Sequence, residues 1–182
     1  MPNFNCVILS GGKSTRMGSD KALVEYEGKT LIQHALELTE ELELDAYLSI
    51  NANQLIWAKE FPHFIDEFES IGPMGGIYSS MKSLGSDLIV FPVDMPNLNR
   101  EMLLELLNRA KLTPTITCYK LNGQLQPFPS YWPFEMLQSI DITIKAQQLS
   151  IKKFIEEHKP TLIPTTDTSL FKNLNHPSDL QS

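Results

Sequence analysis

Short apolar runs alternate along the chain with stretches of helical periodicity, and this alternation constrains the fold more than any other feature. Asn5–Leu9 (NCVIL) reads as a buried strand running directly into Ser-Gly-Gly. Thr30–Leu42 carries Leu31, Ala35, Leu38 and Leu42 at helical spacing, with Thr30 as cap. Ala46–Ile50, Phe64–Asp66, Leu88–Val93 and Thr115–Tyr119 read as strands. Pro73–Leu84 reads as a helix with proline in its first turn, and Arg100–Lys111 as a helix behind an Asn99 cap. Beyond them, Pro127, Pro129 and Pro133 punctuate a segment expected to hold a strand and a bend. Helices are expected at Pro133–Ile140 and Ser150–His158, and a last strand at Thr161–Ile163. Leu170-Phe171 reads as strand-like, and Pro177–Leu180 as a final short helix. Strands separated by helices predict a mainly parallel sheet covered on both faces, a Rossmann-like three-layer α/β/α sandwich. The 182 residues, with no internal repeat or low-complexity linker, predict one domain spanning 1–182.

In such sheets ligands bind beyond the carboxyl ends of the strands. Ser10–Asp20, Asn51–Asn53, Asp66 and Asp94 each follow an expected strand, so they are expected at one rim. The first segment, Leu9-Ser10-Gly11-Gly12-Lys13-Ser14-Thr15-Arg16-Met17-Gly18-Ser19-Asp20-Lys21, suits phosphate. Glycines let backbone N–H groups come close, and the basic side chains neutralise charge. It is neither of two familiar phosphate loops. In the GxxxxGK[ST] pattern the first glycine would fall at Val7, inside the strand, and no Gly-x-Gly opens a dinucleotide fingerprint. The formal net charge of −7 argues against nucleic acid as a partner, which makes the Lys13, Arg16 and Lys21 cluster stand out as a local anion site. No apolar run reaches the ~20 residues of a membrane span, and the N-terminus lacks a basic region before an apolar stretch; a cytoplasmic protein with no membrane partner is expected. Cys6 and Cys118 lie in strand-like runs and are expected to be core thiols. The four histidines are scattered without zinc-ligand spacing.

The residues Ser10–Leu23, SGGKSTRMGSDKAL, resemble the signature LAGGxSxRMGxDKxL of the molybdenum cofactor guanylyltransferases of the MobA type, within the nucleotidyltransferase superfamily. The resemblance continues in order. It takes in Ile50-Asn51-Ala52-Asn53, then Asp66 before Gly72-Pro73-Met74-Gly75-Gly76-Ile77, then Pro92-Val93-Asp94-Met95-Pro96. Gln126-Pro127 and the run from Phe171 through Asn173 and Asn175 to Leu180 complete it. Ser10 stands where the family usually has alanine, Thr30 where it often has proline, and Gly75 where it often has alanine.

The resemblance implies transfer of GMP from GTP to the terminal phosphate of a molybdenum-carrying molybdopterin, with release of pyrophosphate. It implies Mg²⁺ as cofactor and Asp94 as its ligand; on spacing alone Asp94 is equally a turn residue between two prolines. Lys21 is expected on the phosphates, with Arg16 helping the leaving pyrophosphate. Leu9, Ser10, Gly11, Gly12, Asn51 and Asp66 are expected around the nucleotide, the Gly11-Gly12 pair being the form associated with guanine. Gly75, Gly76, Asn173 and Asn175 are expected near the acceptor, although each also serves in helix packing or an Asx turn. Further implied partners are molybdenum-insertion proteins and apo-molybdoenzyme chaperones, with the chain as a monomer. Two alternatives keep the fold. One is a cytidylyl or sugar-phosphate nucleotidyltransferase; the other is a non-catalytic nucleotide sensor or carrier, against which Lys21 and Asp94 argue.

Overall fold

The computed structural model describes residues 4–11, 20–68, 71–175 and 179. In chain order the elements are β1 (Asn5–Leu9), β2 (Glu25–Tyr26), β3 (Lys29–Thr30), α1 (Leu31–Glu41), β4 (Ala46–Ile50), α2 (Leu55–Ala58) and β5 (His63–Ile65). They continue as α3 (Pro73–Leu84), β6 (Leu88–Pro92), α4 (Arg100–Leu112), β7 (Thr117–Leu121), β8 (Gln124–Trp132), α5 (Leu137–Lys145), α6 (Ile151–Glu157) and β9 (Thr161–Thr165).

β1 is an unbroken buried run because both of its faces are covered. Cys6 and Ile8 point into a core shared with Ile89 and Phe91 of β6 and with Leu31 and Ala35 of α1 and Leu103 and Leu106 of α4. Val7 and Leu9 point the other way, into a core with Leu88 and Val90 of β6, Met74, Ile77 and Met81 of α3, Ile140 of α5 and Phe154 of α6. This is the expected three-layer arrangement. The sheet order is β5-β4-β1-β6-β8-β7-β9. β1 pairs in parallel with β4 on one side and β6 on the other, so the chain order reverses beside β1 and opens a crevice at its carboxyl end.

Local signals account for most boundaries. Thr30 accepts from Gln33 N while the Gln33 side chain accepts from Thr30 N, a capping box worth about 1 kcal/mol. Asn99 accepts from Met102 N at 3.0 Å to start α4, and Ser150 caps α6.

Three expectations are corrected. The proline-punctuated segment is one nine-residue strand, β8, antiparallel to both β6 and β7. It tolerates Pro127 and Pro129 because β6 pairs only with Ser130–Trp132 and the β7 register skips residues 127–129 at an irregularity beside Cys118/Tyr119. Leu170-Phe171 is not strand-like. It lies in a tight 3-10 turn, Ser169–Phe171, begun by Asp167, whose Oδ1 accepts from Ser169 N and Oγ, and Phe171 packs edge-on against Tyr119. The strand expected at Thr115 begins at Thr117, where its backbone register with Tyr131 of β8 and Thr161 of β9 starts; the hydroxyls of Thr113 and Thr115 bond that of Thr161 just outside it. The short helix expected at Pro177–Leu180 lies outside the described residues. No described helix is long and apolar enough to cross a membrane.

Candidate active site

The carboxyl ends of β1, β4 and β6 and the first turn of α3 enclose a cleft of about 250 Å³, into which Leu9, Ser10, Gly11, Lys21, Asp66, Gly76 and Asp94 all face. The first turn of α3, Gly72 and Pro73, borders it, and the partial positive charge of a helix N-terminus favours an anion nearby.

Asp94 follows β6 and is held from two sides. Val93 N donates to Leu9 O, and Leu174 N donates to Asp94 O, so the C-terminal segment is laid across the Asp94 turn. Lys21 Nζ donates to Asp94 Oδ2 at 2.6 Å and to Asn175 Oδ1 at 2.8 Å. The other Asp94 oxygen, Oδ1, is buried and has no hydrogen-bond partner among the described residues.

Asp66 follows β5. Its amide closes on Ile50 O, and its Oδ1 accepts from Ser49 Oγ at 2.6 Å. Its Oδ2 lies 3.0 Å from where a β-carbon on Gly11 would stand, so the carboxylate faces the start of the glycine-rich segment. Burial raises its pKa above the usual carboxylate value, and the Ser49 hydroxyl partly counters this. Gly76 lets α3 approach this pair closely: a β-carbon there would fall 2.3 Å from Ser49 Oγ and 3.0 Å from Leu9 Cδ2.

The main-chain amides of Ser10 and Gly11, residues expected around the nucleotide, both donate to Ser49 O at 3.0 Å. The start of the segment is therefore a turn closed onto β4. Gly12, Lys13 and Arg16 lie outside the described residues. Asn51 sits at the end of β4 with its Oδ1 accepting from Asn53 N, so its side chain caps the turn that follows. Gly75 packs against Ile71, away from the cleft, while Gly76 lines it. Asn173 is exposed, and Asn175 meets Lys21 rather than a separate pocket.

Two residues that sequence reasoning passed over are built into the site. Gln54 is buried and bonds both Ser10 O and the Asp20 carboxylate; Trp57 Nε1 donates to Asp20 Oδ2 at 2.9 Å. The available signal was the spacing Asn51-x-x-Gln54, which matches a capping box, and the two side chains do cap one another's turn.

The model of the MobA-like NTP transferase domain matches residues 6–161. The molybdenum cofactor guanylyltransferase of Aliivibrio salmonicida is 31% identical over 183 residues, covering 97% of this chain and 93% of that protein. The molybdenum cofactor biosynthesis bifunctional protein of Synechocystis is 30% identical over 95% of this chain, which spans about half, 51%, of that protein's length. The crystal structure of molybdopterin-guanine dinucleotide biosynthesis protein A from Archaeoglobus fulgidus superposes with a TM-score of 0.83, covering 97% of this chain and 95% of that one at 21% identity, a likeness of fold. With a matched model running from β1 into β9 and relatives aligned over nearly its whole length, the chain belongs to the MobA-like NTP transferase domain family.

Proposed function

We propose that the chain transfers GMP from GTP to the terminal phosphate of a molybdenum-carrying molybdopterin, in the cleft at the carboxyl ends of β1, β4 and β6. The observation that carries this reading is the meeting of Lys21 and Asp94 at 2.6 Å across the cleft, from segments 73 positions apart in sequence. An anionic acceptor oxygen forms a bond to the α-phosphorus, and the bond to the pyrophosphate oxygen breaks. Both partners are negatively charged, so catalysis is mostly positioning and charge neutralisation.

Lys21 brings an ammonium to the triphosphate, held in place by Asp94 and Asn175. Arg16, on its motif position, assists the leaving pyrophosphate. Asp66 offers an acceptor oxygen beside Gly11 for donor groups of the nucleotide. Asp94 fits a magnesium ligand: its Oδ1 is a buried oxygen without a donor among the described residues, and magnesium takes oxygen ligands, often only one or two carboxylates alongside substrate phosphates. Magnesium bound there supplies charge neutralisation on phosphate oxygens.

Titration calorimetry and turnover with GTP, CTP and UTP, each with and without Mg²⁺, test the reading. GTP is expected to bind best, and Asp94→Ala is expected to remove Mg²⁺-dependent turnover while the far-UV spectrum stays that of folded protein. Preference for CTP or UTP overturns the guanylyl assignment, and full activity in Asp94→Ala overturns the metal assignment.

A further inference from the structure

Gln54 is 3% exposed in the turn after β4, and every polar atom of its side chain is used. Its Nε2 donates to Ser10 O at 2.9 Å, and to Asp20 Oδ2 at 2.9 Å and Oδ1 at 3.1 Å. Its Oε1 accepts from Asn51 N at 2.9 Å. Ser10 is where the chain leaves β1, and Asp20 is where it arrives at Lys21. One buried amide therefore ties the two ends of the glycine-rich segment to each other and to the end of β4.

Asp20 is gripped at three points. Trp57 Nε1 donates to Oδ2 at 2.9 Å, Ala22 N donates to Oδ1 at 3.1 Å, and Gln54 reaches both oxygens. The Ala22 bond makes Asp20 the cap of the 3-10 turn Lys21–Leu23, so the carboxylate that Gln54 and Trp57 hold also sets where Lys21 begins. Lys21 then reaches Asp94 at 2.6 Å. The three donors to Asp20 among the described residues are all neutral, so none of them competes with the cleft for positive charge.

We propose that Gln54, together with Trp57, is a positioning residue for triphosphate binding: it acts through Asp20 and Ser10 to hold Lys21 in place over the cleft before the nucleotide arrives. This rests on the proposed nucleotidyl transfer. Holding the cation in place in advance removes an ordering cost that would otherwise be charged against nucleotide affinity. The acceptor's own binding is not involved.

The test uses the full chain with Mg²⁺ and GTP as the probe. Gln54→Leu keeps most of the volume and removes every bond of the amide; Trp57→Phe keeps an aromatic ring, though a smaller one, and removes one donor to the same carboxylate. Gln54→Leu is expected to raise the Kd and KM for GTP about tenfold, with kcat within about threefold and the acceptor KM within about twofold, where tenfold corresponds to about 1.4 kcal/mol. Trp57→Phe is expected to shift GTP affinity in the same direction by a smaller factor. In an Asp20→Asn background Gln54→Leu is expected to add little, because the two act as one unit. Unchanged GTP affinity in folded Gln54→Leu overturns the proposal, as does an equal rise in both KM values or full additivity with Asp20→Asn. If Gln54→Leu does not fold, Trp57→Phe decides by the same split. Wild-type protein that binds no triphosphate overturns the proposed function and this inference together; wild type that binds while the variants bind equally well overturns this inference alone.

Discussion

Gly76→Ala adds one β-carbon on the face of α3 turned toward the sheet. That atom would stand 2.3 Å from Ser49 Oγ, about 0.7 Å inside the 3.0 Å that real β-carbons essentially never cross. It would also stand 3.0 Å from Leu9 Cδ2 and 3.4 Å from Asp66 Oδ1. Two responses are open. If Ser49 keeps its 2.6 Å bond to Asp66, α3 and β4 carry the overpacking strain, about 1–3 kcal/mol. If the hydroxyl rotates away, a hydrogen bond to a charged acceptor is lost, about 1.5–3 kcal/mol. Against either stands the gain of alanine over glycine inside a helix, about 1 kcal/mol. The net is a loss of up to about 2 kcal/mol, which for a chain of this length lowers Tm by up to about 8 °C. Gly75→Ala is the internal control. Its β-carbon would meet Ile71 Cγ1 at 2.9 Å and Cδ1 at 3.2 Å, a milder overlap that a shift of a few tenths of an ångström in one side chain relieves, so with the same propensity gain that variant is expected to be clearly more stable than Gly76→Ala. Thermal melts of both variants and of Gly76→Ala/Ser49→Ala check this. The double variant removes the clashing oxygen and is expected to lose less than the two single losses added together. Gly76→Ala as stable as Gly75→Ala would refute the reasoning.

Two further outcomes follow from burial. The folded protein holds the Asp66 proton more tightly than the unfolded chain, so stability falls as pH rises from the ordinary value of 3.8 through the raised one. Asp66→Asn lacks that penalty: melts are expected to show it more stable than wild type at pH 7, with the advantage shrinking as pH falls and gone below 3.8; an advantage that grows toward low pH would contradict the assignment. Burial also pushes the Cys118 thiol up to about 12 and the Cys6 thiol upward as well, so neither is expected to react with a thiol reagent at pH 8 until denaturant is added, and labelling of the native protein would count against the described core.

Much of this was legible in the sequence because it is local. β1, β4 and β6 announce themselves as apolar runs, since a strand covered on both faces needs no polar alternation. Thr30, Pro73 and Asn99 mark helix starts through bonds that reach only three residues ahead or through a fixed φ. Lys21 and Asp94 were legible as neighbours through topology, since each comes after a strand whose carboxyl end reaches the same rim, and their roles through the resemblance. What stayed hidden depends on pairings far apart in the chain. The antiparallel place of β8 between β6 and β7 is invisible behind Pro127 and Pro129, which fall in its unpaired middle. Ser49 looks like an ordinary residue of a strand, and its bond to Asp66 exists only because β4 and β5 pair. Gln54 is polar, and polarity suggests exposure; its burial is set by Asp20, 34 positions earlier.

The three carboxylates around the cleft differ in what their partners leave open, and this sorts their roles. Asp20 is filled by neutral donors from Ala22, Gln54 and Trp57, so its acceptor capacity is spent inside the protein. Asp66 gives one oxygen to Ser49, and burial disfavours its charge, which suits it to receive a donor group better than to seat a cation. Asp94 is balanced by Lys21 through Oδ2 yet keeps a buried Oδ1 with no donor among the described residues. An unsatisfied buried acceptor costs about 1–3 kcal/mol, more when charged. A cation bound at Oδ1 removes that cost, whereas at Asp20 it would have to displace bonds already made. Under the proposed function, the ammonium that would neutralise phosphate and the oxygen that would bind a metal therefore belong to one ion pair, at the end of β6.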